Sequence, residues 1–521
     1  MILSKPVASC NPCSHVLNFR TYPSQIVLKG DLAMASYDLI IKNSLVVLHD
    51  QEKPLAVDIA IKDGKIAKLE ANIDSSQASE TVDAEGKLAF PGVVDAHQHW
   101  GIYNPLDIDT ASESKACAQG GVTTAISYMR TGQYYLNKGG AYKDFYPEVL
   151  EKASGKAYVD YAFHLAPLTS EHIGEIPELI SKFGVNSFKI FMFYGSYGLH
   201  GRSTSQNEFL MIPEGERYDV AHFEFVMRAI QKARKEMPKV ADNISLSLHC
   251  ETAEIMTAYT KMVEESGRPK DLEAYHLSRP PHSEGLAITI ASYLAHETEL
   301  PNINLLHLTS FKAIDAAMKM TLAFPHVNFR REVTIGHLLA DIKNSKGIGG
   351  KVNPPLRPRE DVEALWEHLL AGNIDWVASD HACCKEETKF GKPKEDVFVA
   401  KSGFGGAEYL LAGLVSETKT RKLSYQKIAQ LTAWNSAQRF GLNNKGAIAV
   451  GFDADIALVD PNASYVVKAD ESLSEQEYTP FEGFTINAKV TDTWLRGKKI
   501  FGNGNVIGTP MGQYQSRPTS R

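Results

Sequence analysis

His97 and His99 stand two residues apart at the end of an apolar run, and His249, His307 and Asp380 each close another such run farther along the chain. Side chains two apart on a strand point the same way, so His97 and His99 can converge on one ion. His249 and His307, on neighbouring strands, can hold a second. Imidazole and carboxylate are ordinary ligands of zinc and similar divalent cations. One histidine at a strand end is more often a packing or surface residue. Five ligand-type residues, each at the same end of its strand, point to a metal centre.

Lys189 belongs with them. The stretch SFKIFMFYG, Ser187–Gly195, is rich in aromatic and β-branched residues and ends in glycine, the pattern of a buried strand. A lone ammonium there is costly unless something pairs with it or removes its charge. Lysine shifts its pKa readily when buried, and the neutral amine combines with carbon dioxide to give a carbamate, an anion with two oxygens suited to bridging two cations. The alternative is a side chain whose tip leaves the strand end to meet a carboxylate.

These residues must be positioned by strands. Eight candidates occur in order: LAFPGVVDAHQH, GVTTAISYM, YVDYAFHLAP, SFKIFMFY, SLSLHCET, INLLHLTS, VNFRREVT and DWVASD. Helical stretches separate them, and alternation of this kind argues for a parallel α/β architecture. Eight such units predict a (β/α)8 TIM barrel, which places its chemistry at the C-terminal ends of its strands. Before and after it the texture is β: YDLIIKNSLVVLHD and AVDIAIKDGKIAKLEANI at the start, GAIAVGFDADIALVD and AKVTDTWLRGKKIFGNG near the end. We therefore expect a disordered extension over 1–36, a small β-sandwich built from 37–89 and 443–507, the barrel over 90–442, and a mobile tail over 508–521. Cys10 and Cys13 are CxxC-like but have no second pair to complete a metal site.

Composition narrows the function classes. The chain has 521 residues, 43% of them hydrophobic, and a formal net charge of −7. No basic stripe suggests nucleic acid, and no apolar run approaches the ~18 residues of a membrane helix. Six cysteines in so long a chain do not make a disulfide framework and fit a reduced, cytoplasmic setting.

The motifs FPGVVDAHQH, NSFKIFMFYG, SLHCET, NLLHLTS, GKVNPPLRPRED and WVASDHACC, with TAWNSAQRFGL and KGAIAVGFDADIALVD after them, resemble those of the amidohydrolase superfamily. The resemblance is to its cyclic amidohydrolases: dihydropyrimidinases, hydantoinases, allantoinases and dihydroorotases. It covers residues 37–505. It implies two divalent metal ions, usually zinc, with His97, His99, Lys189 and Asp380 serving one and carboxylated Lys189, His249 and His307 the other. It also implies a general base in Asp380, an oxyanion donor in Tyr194, a substrate contact in Asn353, a small cyclic amide as substrate, and a homo-oligomer, tetramer or dimer.

Two departures bear on the substrate. Dihydroorotases resemble one another in an HxHxR motif whose arginine grips a carboxylate; here that position is Gly101 in HQHWGIYNP. Trp100 and Tyr103 could instead wall a pocket for a less charged ring, or could be packing residues. After Asp380 come His381, Ala382, Cys383 and Cys384, where the two thiols could be ligands but are expected to line the pocket or the loop, because the ligand set is already complete. His164, His276, His282, His326 and His337 show no partner pattern and read as structural or surface residues. The leading expectation is a hydrolase opening a hydantoin- or dihydropyrimidine-like ring. Allantoinase- or dihydroorotase-like chemistry, and a non-catalytic scaffold, are the alternatives.

Overall fold

The structure, a computed structural model, describes residues 36–193 and 209–518; Tyr194, Cys10, Cys13 and nearly all of the expected extension lie outside them. The chain forms β1 (Tyr37–Val46), β2 (Leu55–Lys62), β3 (Lys65–Glu70), β4 (Ala78–Asp83) and β5 (Leu88–Pro91). Eight strands with intervening helices follow: β6 (Val93–Gln98), β7 (Val122–Met129), β8 (Asp160–Leu165), β9 (Ser187–Phe191), β10 (Ser245–His249), β11 (Asn302–Leu305), β12 (Asn328–Thr334) and β13 (Trp376–Ala378). The last are β14 (Ile456–Asp460), β15 (Tyr465–Val466), β16 (Thr485–Ile486), β17 (Lys489–Leu495), β18 (Lys498–Gly502) and β19 (Asn505–Val506).

Strands β6 to β13 pair in chain order, all parallel. Their near-continuous apolar sequences follow from burial on both faces, inward against the barrel core and outward against the helices. The barrel closes where its first and last strands meet. The His99 N–H donates to the His381 carbonyl at 2.8 Å, and the Ser379 N–H and hydroxyl both donate to the buried Asp95 carboxylate, at 3.0 and 2.5 Å. The observed fold class is the expected one, a (β/α)8 barrel with a small β-sandwich built from both flanking regions.

The first expected strand, LAFPGVVDAHQH, proves to be two. Leu88–Pro91 pairs with β1 and β14 in the other sheet, and only Val93–Gln98 enters the barrel. The switch falls at Gly92, where an added Cβ would sit 2.2 Å from Thr123 Oγ1; only glycine allows that approach. The other sheet has nine strands in the order β19-β18-β17-β14-β5-β1-β2-β3, with β4 also on β1. Lys445 ties it to the barrel. Its buried ammonium is 2.8 Å from both Asp160, at the start of β8, and Asp455, and 3.2 Å from Asp453.

The residues after Gly508 were expected to trail away, and residues 509–518 instead lie along the barrel. Tyr161 N–H donates to Gln513 O at 3.0 Å and Gln515 N–H to Tyr161 O at 2.7 Å. Arg517 is 1% exposed and donates to Phe163 O at 2.8 Å. Polar composition hid this, because the strap is held largely by backbone bonds, the buried Arg517 and the single ring of Tyr514 rather than by a continuous apolar face. Among the described residues no helix is long and apolar enough to cross a membrane.

Candidate metal centre

The C-terminal ends of β6, β9, β10, β11 and β13 deliver the expected side chains to one mouth of the barrel. His97 and Gln98 close β6 and His99 follows at once. Lys189 is the middle residue of β9, His249 ends β10, and His307 and Asp380 lie two residues beyond β11 and β13. His307 and Asp380 have positive φ, 31° and 54°, a conformation non-glycine residues adopt at a cost.

His97, His99 and Asp380 present ligand atoms all within 4.8 Å of one another. Asp380 Oδ1 is 2.9 Å from His97 Nε2 and 3.1 Å from His99 Nε2, and the two Nε2 atoms are 3.3 Å apart. Lys189 Nζ is 2.5 Å from His97 Nε2 and 3.4 Å from His99 Nε2. His249 and His307 form an edge-to-face pair with ring centroids 4.3 Å apart, and His307 lies 5.4 Å from the His97 ring. The structure thus brings all six expected ligands to one place, in two subgroups with Lys189 against the first.

The carboxylates around them set each ring's orientation. His97 Nδ1 is 2.7 Å from Glu332 Oε1, so its Nε2 lone pair faces the cluster. Glu332 also accepts from the Trp376 indole at 2.8 Å and the His307 N–H at 3.1 Å. His249 Nε2 is 2.7 Å from Glu251, whose carboxylate is gripped by Arg279 at 2.6 and 2.9 Å. Sequence reasoning passed over Glu332 and Glu251. The signal that exposed Lys189, a charge inside a buried strand, was equally present for Glu332 in VNFRREVT.

Burial and charge act in opposition here. Burial disfavours the His97 imidazolium, but Asp380 and Glu332 outweigh it and hold its pKa up at about 9. Burial and the neighbouring Lys189 push His99 down to about 3. Burial lowers the Lys189 ammonium to about 8 against the pull of Asp380 and Glu332. Burial works against the Asp380 carboxylate, yet the two histidines hold it well below the usual range.

The donor set fits a divalent cation. Nε2 lone pairs and a carboxylate oxygen converge within contact distance, and the Nδ1 atoms of His249 and His307 are buried without a hydrogen-bond partner. A bound cation satisfies such atoms.

A cleft opens above the cluster, lined by His99, Asp380, His249 and His307 and by Asn353, Arg130, Tyr128 and Phe191, among others. Asn353, the expected substrate contact, is among the lining residues, its amide oxygen accepting from Tyr275. Trp100 and Tyr103 are not in the lining. Trp100 is 0% exposed and packs beside Tyr161. Tyr103 donates to Ser402 O at 2.5 Å. Tyr103 thus supports the lining residue Ser402 from outside the cleft, and Trp100 is a core residue. Cys383 and Cys384 are buried and also outside the lining; burial pushes the Cys384 thiol up to about 12. His164 and His337 hold two hydrogen-bond partners each, as structural histidines do.

Comparison with known proteins agrees with this geometry. The sequence profile of the amidohydrolase family matches residues 88–500. The allantoinase of Rubrobacter xylanophilus is 30% identical over 485 residues, covering 92% of this chain and 98% of that one. An Escherichia coli allantoinase is 32% identical over 479 residues, 89% of this chain and 95% of its own. Among solved structures, the L-hydantoinase (dihydropyrimidinase) of Arthrobacter aurescens superposes with a TM-score of 0.78 at 26% identity, covering 92% of this chain and 99% of that chain. The D-hydantoinase (dihydropyrimidinase) of Thermus sp. gives the same score, identity and coverage.

Proposed function

The chain belongs to the amidohydrolase family, within it to the hydrolases of cyclic amides, and on that premise we propose that it opens a hydantoin-type ring by hydrolysing the bond between a ring carbonyl and a ring nitrogen. The observation that carries this is the convergence of His97, His99 and Asp380, with Lys189 against them and His249 and His307 alongside, at the floor of a cleft. The curated relatives are allantoinases and the solved neighbours hydantoinases. Allantoin is itself a hydantoin bearing a ureido arm, so a hydantoin nucleus is common to both. A six-membered dihydropyrimidine is the second candidate, from the same neighbours' names.

In this proposal His97, His99 and Asp380 would hold one divalent ion and His249 and His307 a second, Lys189 as its N6-carboxylated derivative would serve both, and zinc would suit the donors. Bound ions of this kind lower the pKa of a water and polarise a carbonyl. Glu332 fixes the His97 ring so that Nε2 faces the ion. Asp380, held ionised by its neighbours, takes the water's proton and passes it to the departing ring nitrogen, which leaves as the neutral amide of the opened chain. Tyr194 donates to the oxygen that gains charge, a role worth about 3–4 kcal/mol of barrier, and Asn353 holds the ring. The chain acts as a homo-oligomer in the cytoplasm.

The test is ring opening by zinc-loaded protein on hydantoin, allantoin, dihydrouracil, dihydroorotate and succinimide, with bound metal measured in parallel. Turnover of hydantoin or allantoin well above the others is expected. Two bound metals with no ring opened would refute the assignment of substrate, and failure to retain any metal would refute the ligand set.

A further inference from the structure

Arg357 stands four residues beyond Asn353 and is 1% exposed. A guanidinium buried to that degree is costly unless its donors are taken up, and here they are. Nη2 donates to the Glu284 carboxylate at 2.5 Å and Nε to the Thr309 hydroxyl oxygen at 2.9 Å. Nη1 donates to Arg279 O at 2.6 Å and to His276 Nδ1 at 3.1 Å. Two of these routes lead to the metal centre. Glu284, in the helix Pro281–Glu297, accepts from both the hydroxyl and the N–H of Thr309, at 2.5 and 3.2 Å. Glu284 and Arg357 therefore close a ring of bonds on Thr309. That residue lies two beyond His307, whose φ of 31° persists only where its surroundings over-determine it. On the other side, Arg357 holds the carbonyl of Arg279. The Arg279 side chain grips Glu251 at 2.6 and 2.9 Å, and Glu251 meets His249 Nε2 at 2.7 Å. One guanidinium thus stands behind both histidines of the second subgroup. The first takes its orientation elsewhere, His97 Nδ1 from Glu332 and His99 Nδ1 from the Tyr135 hydroxyl at 3.0 Å.

We infer that Arg357 is a positioning residue for the second ion of the pair, holding His249 and His307 in register from outside the ligand set. The inference rests on the two-ion reading proposed above and deepens it. Outer partners of this kind are worth about 10–100-fold in metal affinity. The role needs a guanidinium, because its planar fork spans Thr309, Glu284 and Arg279 O at once, whereas an ammonium is a single point of charge. Arg357→Lys therefore keeps a cation beside Glu284 and loses the span.

The experiment loads the wild type, Arg357→Lys, His307→Asn and the double variant with zinc and measures metal per chain during dialysis against a graded chelator. Urea unfolding of the metal-free proteins checks that each folds. The wild type should keep two ions. Arg357→Lys should release one of them at about 10–100-fold lower chelator and the other as the wild type does. His307→Asn should hold one ion, and adding Arg357→Lys should leave its release unchanged, because both substitutions act on the same ion. Should Arg357→Lys not fold, Thr309→Val keeps the Arg357–Glu284 pair and removes one hydroxyl, and it should weaken the same single ion. Equal weakening of both ions would mark Arg357 as merely structural and overturn the inference, as would two ions held as tightly as in the wild type, or a further shift in the His307→Asn background. A wild type that keeps fewer than two ions refutes the two-ion reading, and the inference with it.

Discussion

Replacing Glu332 by glutamine changes one oxygen to an amide nitrogen and nothing in size, so its effect can be worked from three hydrogen bonds. Oε1 accepts from His97 Nδ1 at 2.7 Å and from the His307 N–H at 3.1 Å, and Oε2 accepts from the Trp376 indole at 2.8 Å. The glutamine oxygen takes the Oε1 position, where it keeps two donors, and its NH₂ then faces the indole N–H. That donor–donor conflict, with one buried donor unsatisfied, costs about 1–3 kcal/mol of stability. His97 keeps its tautomer but loses a charged partner, and loss of such outer support costs about 10–100-fold in metal affinity or activity, or about 1.4–2.8 kcal/mol. Adding Trp376→Phe removes the conflict without restoring the charge. We therefore expect the double variant to regain stability in urea unfolding and not to regain metal, measured by elemental analysis after dialysis against a graded chelator. Wild-type metal retention by Glu332→Gln, or restoration of metal by the second substitution, would refute this account of His97.

Four further outcomes are expected. Lys189→Ala loses metal and activity together, and intact-mass analysis of the wild type shows a carbon dioxide adduct that this variant lacks; a fully active two-metal Lys189→Ala protein would exclude the bridging role. Lys445→Met leaves Asp160, Asp453 and Asp455 facing one another and destabilises by about 3–5 kcal/mol, read from the denaturation midpoint, while an unchanged midpoint would show the charges are not bound together. Truncation after Gly508 removes four backbone bonds, from Gly512, Gln515 and Arg517 and to Gln513; at about 0.5–1.5 kcal/mol each this lowers stability by roughly 2–6 kcal/mol, and no loss would mean the strap contributes nothing. Burial holds the Lys389 ammonium down at about 7 from an ordinary 10.5. The unfolded chain therefore binds more protons between those values, so stability rises with pH across that window. From pH 7 to 9 the wild type should gain about 2 kcal/mol on Lys389→Met, and parallel stability curves would contradict the shift.

The sequence made the parts of the site with a period legible. Strand alternation placed His97 and His99 on one side, and the run of eight apolar segments put Lys189, His249, His307 and Asp380 at one barrel end. What it concealed came from contacts with no local signature. Glu332 serves His97 from six strands away in chain order. Arg130 joins the cleft lining from the end of β7 with the Tyr135 and Phe209 rings beside it, a placement no local pattern announces. Trp100 looked like a pocket wall because it adjoins His99, whereas the turn after β6 sends it into the core. Gly92 divides one apolar run between two sheets for want of space beside Thr123, and no hydrophobicity pattern records a steric limit.

The barrel's closing seam runs through the candidate metal centre. His97 and His99 belong to the first barrel strand and its exit, Asp380 to the exit of the last, and the seam bond from Ser379 to Asp95 joins residues 284 apart in sequence. Contacts of such separation are slow to form, because a long loop must be closed before anything is gained. A nascent or partly opened chain can therefore bring the His249–His307 pair together but not the cluster that Asp380 completes. Ion retention by the complete cluster then reports that the circle of strands is shut, and an ion bound there adds its own affinity to the bond holding first and last strands together. In this molecule, assembly of the fold and arming of the site are one event.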